Sequence, residues 1–263
     1  MPTPFCLDRL DITMSDGTPF SFFFDGNGKI TRENGTFARP VSNAFSLIQV
    51  EDCPFATPIC KSVCYVHRLE KAEVEIHAAY VQNSRVIREV LGNDEYFLEV
   101  TKAFSEWIES KSPKGFRWHV SGDIISNRHA EFIAQVCRIT PQVPFWIYTR
   151  SFPLLLPLLS PRILNLALNL SADKDNYEDV LLLHRTYGLR ICYLTIDGNI
   201  PINLPKGSVI FPNHELRGRD LPHPTDASWC HTLTYQQKQM VCPPDFFGQS
   251  ESLRCGPCKK CLR

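Results

Sequence analysis

Apolar positions along this chain fall into two periods. From Glu70 to Leu91 the residues Ala72, Ile76, Ala79, Tyr80, Val86, Ile87 and Leu91 recur mostly at three-to-four spacing, with Asn83 interrupting, which predicts an amphipathic helix. A second helix is expected at roughly Asp94 to Ser110, with Phe97, Val100, Phe104, Trp107 and Ile108 on one face. Beyond it, short strands alternate with helices. Strands are expected at Phe116 to Ser121, Phe145 to Thr149, Ile163 to Leu170, Leu189 to Ile196 and Ser208 to Pro212, and helices near Arg128 to Ile139, Leu154 to Leu159 and Tyr177 to Tyr187. Before them the chain reads as a β-rich entry segment: Phe20 to Phe24 is an aromatic run, and Asp25-Gly26-Asn27-Gly28 and Asn34-Gly35 are turn signals.

Strand–helix alternation implies parallel strands. With Ala44 to Val50 as the first strand there are six βα-like units, fewer than the eight that close a barrel. The strands also show two unlike faces. Leu164, Leu166, Leu168 and Leu170 alternate with Asn165, Ala167, Asn169, Ser171 and Asp173, and Phe116, Trp118 and Val120 oppose Arg117, His119, Ser121 and Asp123. A sheet covered by helices on both sides would be apolar on both faces. The expected architecture is therefore an incomplete (βα)6 TIM-like barrel with a polar inner face spanning residues 44–226, preceded by the β-rich segment 1–43 and followed by a cysteine-rich tail at 227–263. A polar face turned to solvent is the alternative.

Each expected strand ends in a polar cluster: Ser121-Gly122-Asp123, Thr149-Arg150-Ser151, Ser171-Ala172-Asp173 and Asp197-Gly198. Binding sites of parallel α/β folds lie at the carboxyl ends of the strands, which would gather Asp123, Arg150, Asp173 and Asp197 around one mouth. The same residue types also cap helices, so the capping reading stands beside the binding one.

Composition narrows the classes. Lys and Arg number 28 against 28 Asp and Glu, so a polybasic coat for nucleic acid is excluded and any phosphate-rich partner would need a local patch. Nothing in the net charge supports nucleic acid. Met1 to Arg9 lacks the basic start and apolar run of a signal peptide, and no apolar stretch approaches the about 20 residues of a membrane span. The expectation is a cytoplasmic protein, and its oligomeric state is not legible.

That expectation sharpens the meaning of 11 cysteines, because in a reducing compartment clustered thiols bind metals or act in catalysis more often than they form disulfides. Cys137 and Cys192 lie in apolar stretches and read as small buried hydrophobes. Cys53, Cys60 and Cys64, with His67 trailing, directly follow the first expected strand, where a loop opens onto the mouth. At the other end Cys255, Cys258 and Cys261 form a CxxCxxC run with Cys242-Pro243 upstream, a spacing that wraps a cubane iron–sulfur cluster. Zinc on four thiolates is the rival. The seven thiols divide as three plus four, one [4Fe-4S] cluster with an open iron and one closed, or they serve a single site formed when the tail folds back.

Several of these residues carry a family resemblance. Phe45-Ser46-Leu47, Cys53-Pro54 to Ala56-Thr57-Pro58-Ile59-Cys60, Cys64-Tyr65, His119-Val120-Ser121-Gly122-Asp123, Phe145-Trp146-Ile147-Tyr148-Thr149-Arg150-Ser151 and the closing cysteine run resemble the gene product 88 domain family of phage and mobile-element proteins, over about residues 40 to 263. More distantly, a cysteine loop after the first strand of a partial barrel resembles radical S-adenosylmethionine enzymes that carry an auxiliary cluster. Those enzymes use CxxxCxxC; Cys60 and Cys64 match the first two positions, His67 stands at the third, and Cys53 is the substitute thiolate. The resemblance implies that Ser121-Gly122-Asp123 stands for the glycine-rich segment after the second strand, with Asp123 receiving the cofactor's ammonium, Arg150 its carboxylate, and Ser171 or Asp173 its ribose. Two function classes follow: an iron–sulfur enzyme of unknown substrate that uses S-adenosylmethionine, with Asp123, Arg150 and Asp173 in its catalytic machinery; or a non-catalytic phage protein, stabilised by zinc or iron–sulfur, that binds nucleic acid or a protein. In the second class Arg254, Lys259, Lys260 and Arg263 would supply phosphate contacts.

Overall fold

The structure, a computed structural model, describes residues 7–26, 42–213, 228–242 and 261. In chain order the strands are β1 (Asp8–Thr13), β2 (Pro19–Asp25), β3 (Ala44–Phe45), β4 (Phe116–Trp118), β5 (Phe145–Thr149), β6 (Leu166–Ala172), β7 (Arg190–Thr195) and β8 (Val209–Pro212). The α-helices are α1 (Pro58–Ser62), α2 (Tyr65–Ala72), α3 (Val74–Leu91), α4 (Asp94–Lys111), α5 (Asn127–Ile139), α6 (Leu156–Leu159), α7 (Tyr177–Tyr187) and α8 (Tyr235–Met240). The fold is mixed α/β, and the chain divides into two compact units.

The first unit holds Met1–Ala56 and Cys64–Ala167. Its strands lie in the order β1, β2, β3, β4, β5; β1, β2 and β3 pair antiparallel, then β3, β4 and β5 pair parallel. The aromatic run of β2 explains its place. Phe20, Phe22 and Phe24 point inward and are buried, and Phe24 stacks on Trp107 of α4 with ring centroids 3.7 Å apart. Phe45, Phe104, Phe116, Trp118, Phe132 and Phe145 complete an edge-to-face aromatic core. Each fully buried ring of this kind contributes roughly 1.5 to 3 kcal/mol by transfer from water.

Helices α3 and α4 follow their predicted apolar faces, and α4 starts at the Asn93 cap, whose side chain accepts from the Glu95 and Tyr96 amides. The single helix expected from Glu70 to Leu91 is broken at Glu73, which has φ −124° and ψ 89°. The break lets Val66 and Leu69 on α2 meet Ile76 and Tyr80 on α3 in one small apolar cluster. A continuous rod would carry the four along one line instead.

Two expected strands are shorter than their patterns. β3 stops at Phe45 because the Leu47 amide turns to the Ser121 carbonyl at 3.0 Å, and Val50 takes φ +66°. β4 stops at Trp118 because His119 takes φ +59°. Asn165 closes the lower end of the unit: its amide group reaches the carbonyls of Cys137, Thr140 and Val143 at 2.9 to 3.0 Å, serving the last turn of α5 and the chain after it.

The second unit holds Thr57–Val63 and Leu168–Cys261. β6, β7 and β8 are parallel neighbours, and Val241 adds a parallel bridge to Ile210 of β8. Helix α7 occupies its predicted span, ending at Gly188 with φ +67°. The leucine face of β6 is buried only toward its carboxyl end: Leu170 is 0% exposed and Leu168 9%, whereas Leu164, ahead of the strand, is 93% exposed. The opposite face carries buried Asn169, half-buried Ser171 and buried Asp173.

Candidate functional site

In the first unit the polar residues converge on the turn His119 to Asp123. Gly122, at φ +77°, crosses so close to Leu47 that a Cβ built on it would sit 2.6 Å from the Leu47 Cβ. Only glycine passes there. The turn delivers Asp123, whose backbone amide donates to the Asp52 carbonyl at 2.7 Å. Asp123 Oδ1 accepts from the Thr149 hydroxyl at 2.6 Å and the Ile124 amide at 2.8 Å, and Oδ2 accepts from the Arg150 amide at 2.8 Å. Ser151 Oγ donates to the Ile124 carbonyl at 2.8 Å. Burial pushes the Asp123 carboxyl up, and these donors oppose the shift. Ser121, Gly122, Asp123 and Arg150 thus belong to one place. Asp123 ties the turn after β4 to the end of β5.

The same turn anchors the chain beside two of the loop cysteines. Cys53 follows Asp52, whose carbonyl holds Asp123; Cys64 precedes Tyr65, whose hydroxyl donates to the Val120 carbonyl at 2.9 Å. Ser121 Oγ also meets Glu70 Oε1 at 3.3 Å, and Glu70 accepts from the Gln49 amide at 3.2 Å and faces His77 Nδ1 at 2.9 Å. Glu70 was not legible as a site residue, because on the helical pattern it is one more polar position.

Two buried histidines meet at the start of the turn. The rings of His119 and His129 stand 5.1 Å apart, edge to face. Neither ring nitrogen of His119, nor Nε2 of His129, has a hydrogen-bond partner among the described residues. Burial holds His119 well below the ordinary imidazole range and His129 down to about 3, so both are neutral. Asp25, under Ser46 and Tyr80, shows the opposite case: burial raises it to about 6.

In the second unit Thr57 does two jobs. Its hydroxyl oxygen caps α1 by accepting from the Cys60 amide at 3.0 Å, and the same hydroxyl donates to Asp173 Oδ2 at 2.5 Å. Asp173 is fully buried and also accepts from the Asp175 amide at 2.9 Å. Asp173 therefore holds the helix that carries Cys60. The cap was readable from Thr57-Pro58 three residues before Cys60. The Ser171 carbonyl accepts from Asn176 at 3.2 Å, and Asp197 is an exposed turn residue that accepts from the Asn199 amide at 3.0 Å.

Cys53, Cys60, Cys64, Cys137, Cys192, Cys242 and Cys261 are thiols outside any disulfide. Cys53, Cys60 and Cys64 are half-buried, Cys137 is buried in α5 among apolar neighbours, and Cys192 and Cys242 are buried in the second unit. Cys255 and Cys258, with Arg254, Lys259, Lys260 and Arg263, lie outside the described residues. Among the described residues no three His, Cys, Asp or Glu side chains form a preassembled metal-binding group. No helix among them is long and apolar enough to cross a membrane.

No solved structure matches the chain. Two curated phage proteins do. The chain is 34% identical over 164 residues to the Gene 88 protein of Mycobacterium phage L5, covering 61% of this chain and 65% of that protein. It is 31% identical over 176 residues to the Gene 88 protein of Mycobacterium phage D29, covering 64% of this chain and 70% of that one. The family model described as Gene product 88 matches residues 21–263, which takes in most of β2, the cysteine loop, the His119 to Asp123 turn and the tail. The chain belongs to the gene product 88 family.

Proposed function

We propose that this protein is an iron–sulfur protein on an incomplete (βα)6 barrel, with a [4Fe-4S] cluster on Cys53, Cys60 and Cys64 that binds S-adenosylmethionine, and a second cluster on Cys242, Cys255, Cys258 and Cys261. One observation carries the reading: the turn at the end of β4 ties down the chain beside both Cys53 and Cys64, through Asp123 to Asp52 and Val120 to Tyr65. Cys53 and Cys64 follow the first of three parallel strands, and the carboxyl ends of such strands are where these folds build sites, which supports the reading. The donor set also fits the group, since half-buried thiols outside disulfides are the ligands that iron clusters take, and metal binding itself draws such ligands together.

A cluster held by these cysteines would supply one-electron reducing chemistry to the cofactor. The chain's own residues would bind and orient: Asp123, held by the Arg150 amide, would receive an ammonium, and Arg150 a carboxylate. Asp173 positions Cys60 through Thr57. The substrate is a separate molecule that the geometry does not name.

A second reading has its own support. Asp123 already accepts three protein hydrogen bonds, which suits a structural crosslink in a non-catalytic, zinc-stabilised protein that binds a macromolecule. Metal content separates the two. Anaerobically purified protein is expected to be brown and to contain iron and acid-labile sulfide, and calorimetry to show S-adenosylmethionine binding. Stoichiometric zinc without sulfide, from cells supplied with iron, leaves the second reading.

A further inference from the structure

β1 is the outermost strand on its side of the sheet: β2 lies along one edge of it, and no strand among the described residues takes the other. Three hydrogen bonds fix which way its backbone faces. The Met14 amide donates to the Thr18 carbonyl at 2.9 Å, in step with the register that sets Thr13 level with Pro19. On β2 the Phe23 amide donates to the Asn83 side chain at 2.8 Å and the Asp25 carbonyl accepts from the Asn43 amide at 3.0 Å, so the odd-numbered residues of β2 turn away from β1. Backbone groups alternate in direction along a strand. Leu10 and Ile12 therefore bond to β2, while Arg9, Asp11 and Thr13 turn their amides and carbonyls to the outer edge. The Ser15 amide, next in that outward series, donates to Glu99 at 3.0 Å.

We propose that this edge binds the same edge of a second copy of the chain, antiparallel and centred on Leu10, forming a two-fold dimer with a sheet continuous across both copies. Charged residues on an edge strand ordinarily repel a second strand. Here the charges select one. Arg9 and Asp11, with side chains 57% and 61% exposed, lie on one face and pair with each other at 2.6 Å. Centring on Leu10 sets Arg9 opposite Asp11 of the second copy and Asp11 opposite its Arg9, all four with outward backbone groups, and opposite charges across a strand pair attract. Centring on Asp11 or on Arg9 would set two like charges face to face. A shift by one residue would face outward groups with inward ones and lose the hydrogen bonds. On the other face the half-buried Leu10 meets its own copy. Pairing a single strand edge covers less surface than a standard interface, so a weak, concentration-dependent dimer is expected. The inference does not depend on the metal reading.

The test is sedimentation equilibrium of the full chain in reducing buffer, with circular dichroism to confirm folding. The wild type is expected to show a monomer–dimer equilibrium. Arg9→Asp and Asp11→Arg, each alone, are expected to weaken it about tenfold, because both cross-copy pairs become like-charged. An equimolar mixture of the two variants is expected to regain wild-type association, since every acid of one chain then faces a base of the other. Within each variant chain the Arg9–Asp11 pair stays broken, so recovery in the mixture reports contact between copies. Asp11→Pro removes an outward amide and none that bonds β2, and it is expected to abolish association in a folded chain; it serves if the charge variants do not fold. A wild type that stays monomeric up to millimolar concentration overturns the proposal. So does a dimer that persists unweakened in folded Asp11→Pro, or a mixture that associates no better than either charge variant alone.

Discussion

Asp123 and Thr149 meet at 2.6 Å, hydroxyl to carboxylate, across the ends of two parallel strands. Thr149 passes the bond on, since its Oγ1 accepts from the Ser151 amide at 2.9 Å, while Asp123 also holds the Arg150 amide. Three consecutive residues at the end of β5, Thr149 to Ser151, are thus ordered by one buried acid. Asp123→Asn is expected to turn an amide N–H toward the Arg150 amide or to lose the Thr149 bond, destabilising the protein by about 1 to 3 kcal/mol. Thr149→Val removes one donor and is expected to cost less. Urea unfolding of both variants checks the order, and equal midpoints would show that the carboxylate is not the organiser.

Two glycines with positive φ separate conformational from steric cost. Gly17, φ +89°, has nothing within 4 Å of a built Cβ, so Gly17→Ala is expected to cost about 1 kcal/mol from backbone strain alone. Gly122→Ala adds an overlap with Leu47 on top of that strain and is expected to exceed about 2 kcal/mol. Thermal melts of the pair make the comparison.

Acid stability follows from three buried groups. His119 and His129 are held neutral when folded but take protons below about 6.5 when unfolded, so each lowers stability by about 1.4 kcal/mol per pH unit as the pH falls below that value. For His129 the loss runs down to about 3. Asp25 acts in the opposite sense between 3.8 and about 6, where the folded form binds the extra proton and stability falls as the pH rises. Relative to wild type, His129→Leu is expected to flatten the slope of stability between pH 4 and 6 by about one proton, and Asp25→Asn to steepen it by about one. Urea titrations across that window read the slopes; parallel curves would remove these groups from the balance.

Thr57 is expected to matter for Cys60 more than for the fold at large. Thr57→Val takes away the cap on the Cys60 amide and the donor to Asp173, at about 1 to 2 kcal/mol for the cap. Loosening of α1 is expected to speed Cys60 alkylation severalfold, with Thr57→Ser restoring the wild-type rate. An unchanged rate in the valine variant would show that the cap does not control the thiol.

Local chemistry alone determined much of this molecule. The aromatic alternation of β2, the span of β5, the facing of α4 and the limits of α7 are written in spacing, because side chains repeat every two residues on a strand and about 3.6 on a helix. The polar clusters after the strands and the cysteine runs were legible in the same way, and they lie within the residues that the family model matches.

Tertiary structure decided what spacing cannot encode. The break at Glu73 exists because two apolar faces share one cluster, β4 ends early because His119 turns to let Gly122 pass Leu47, and Asp123 spends its acceptors on β5. Cys192 is buried as its apolar neighbours imply, and the register adds only that it stands level with Ser171 and Val209, because which residues of neighbouring strands lie abreast is settled by pairing and not by spacing.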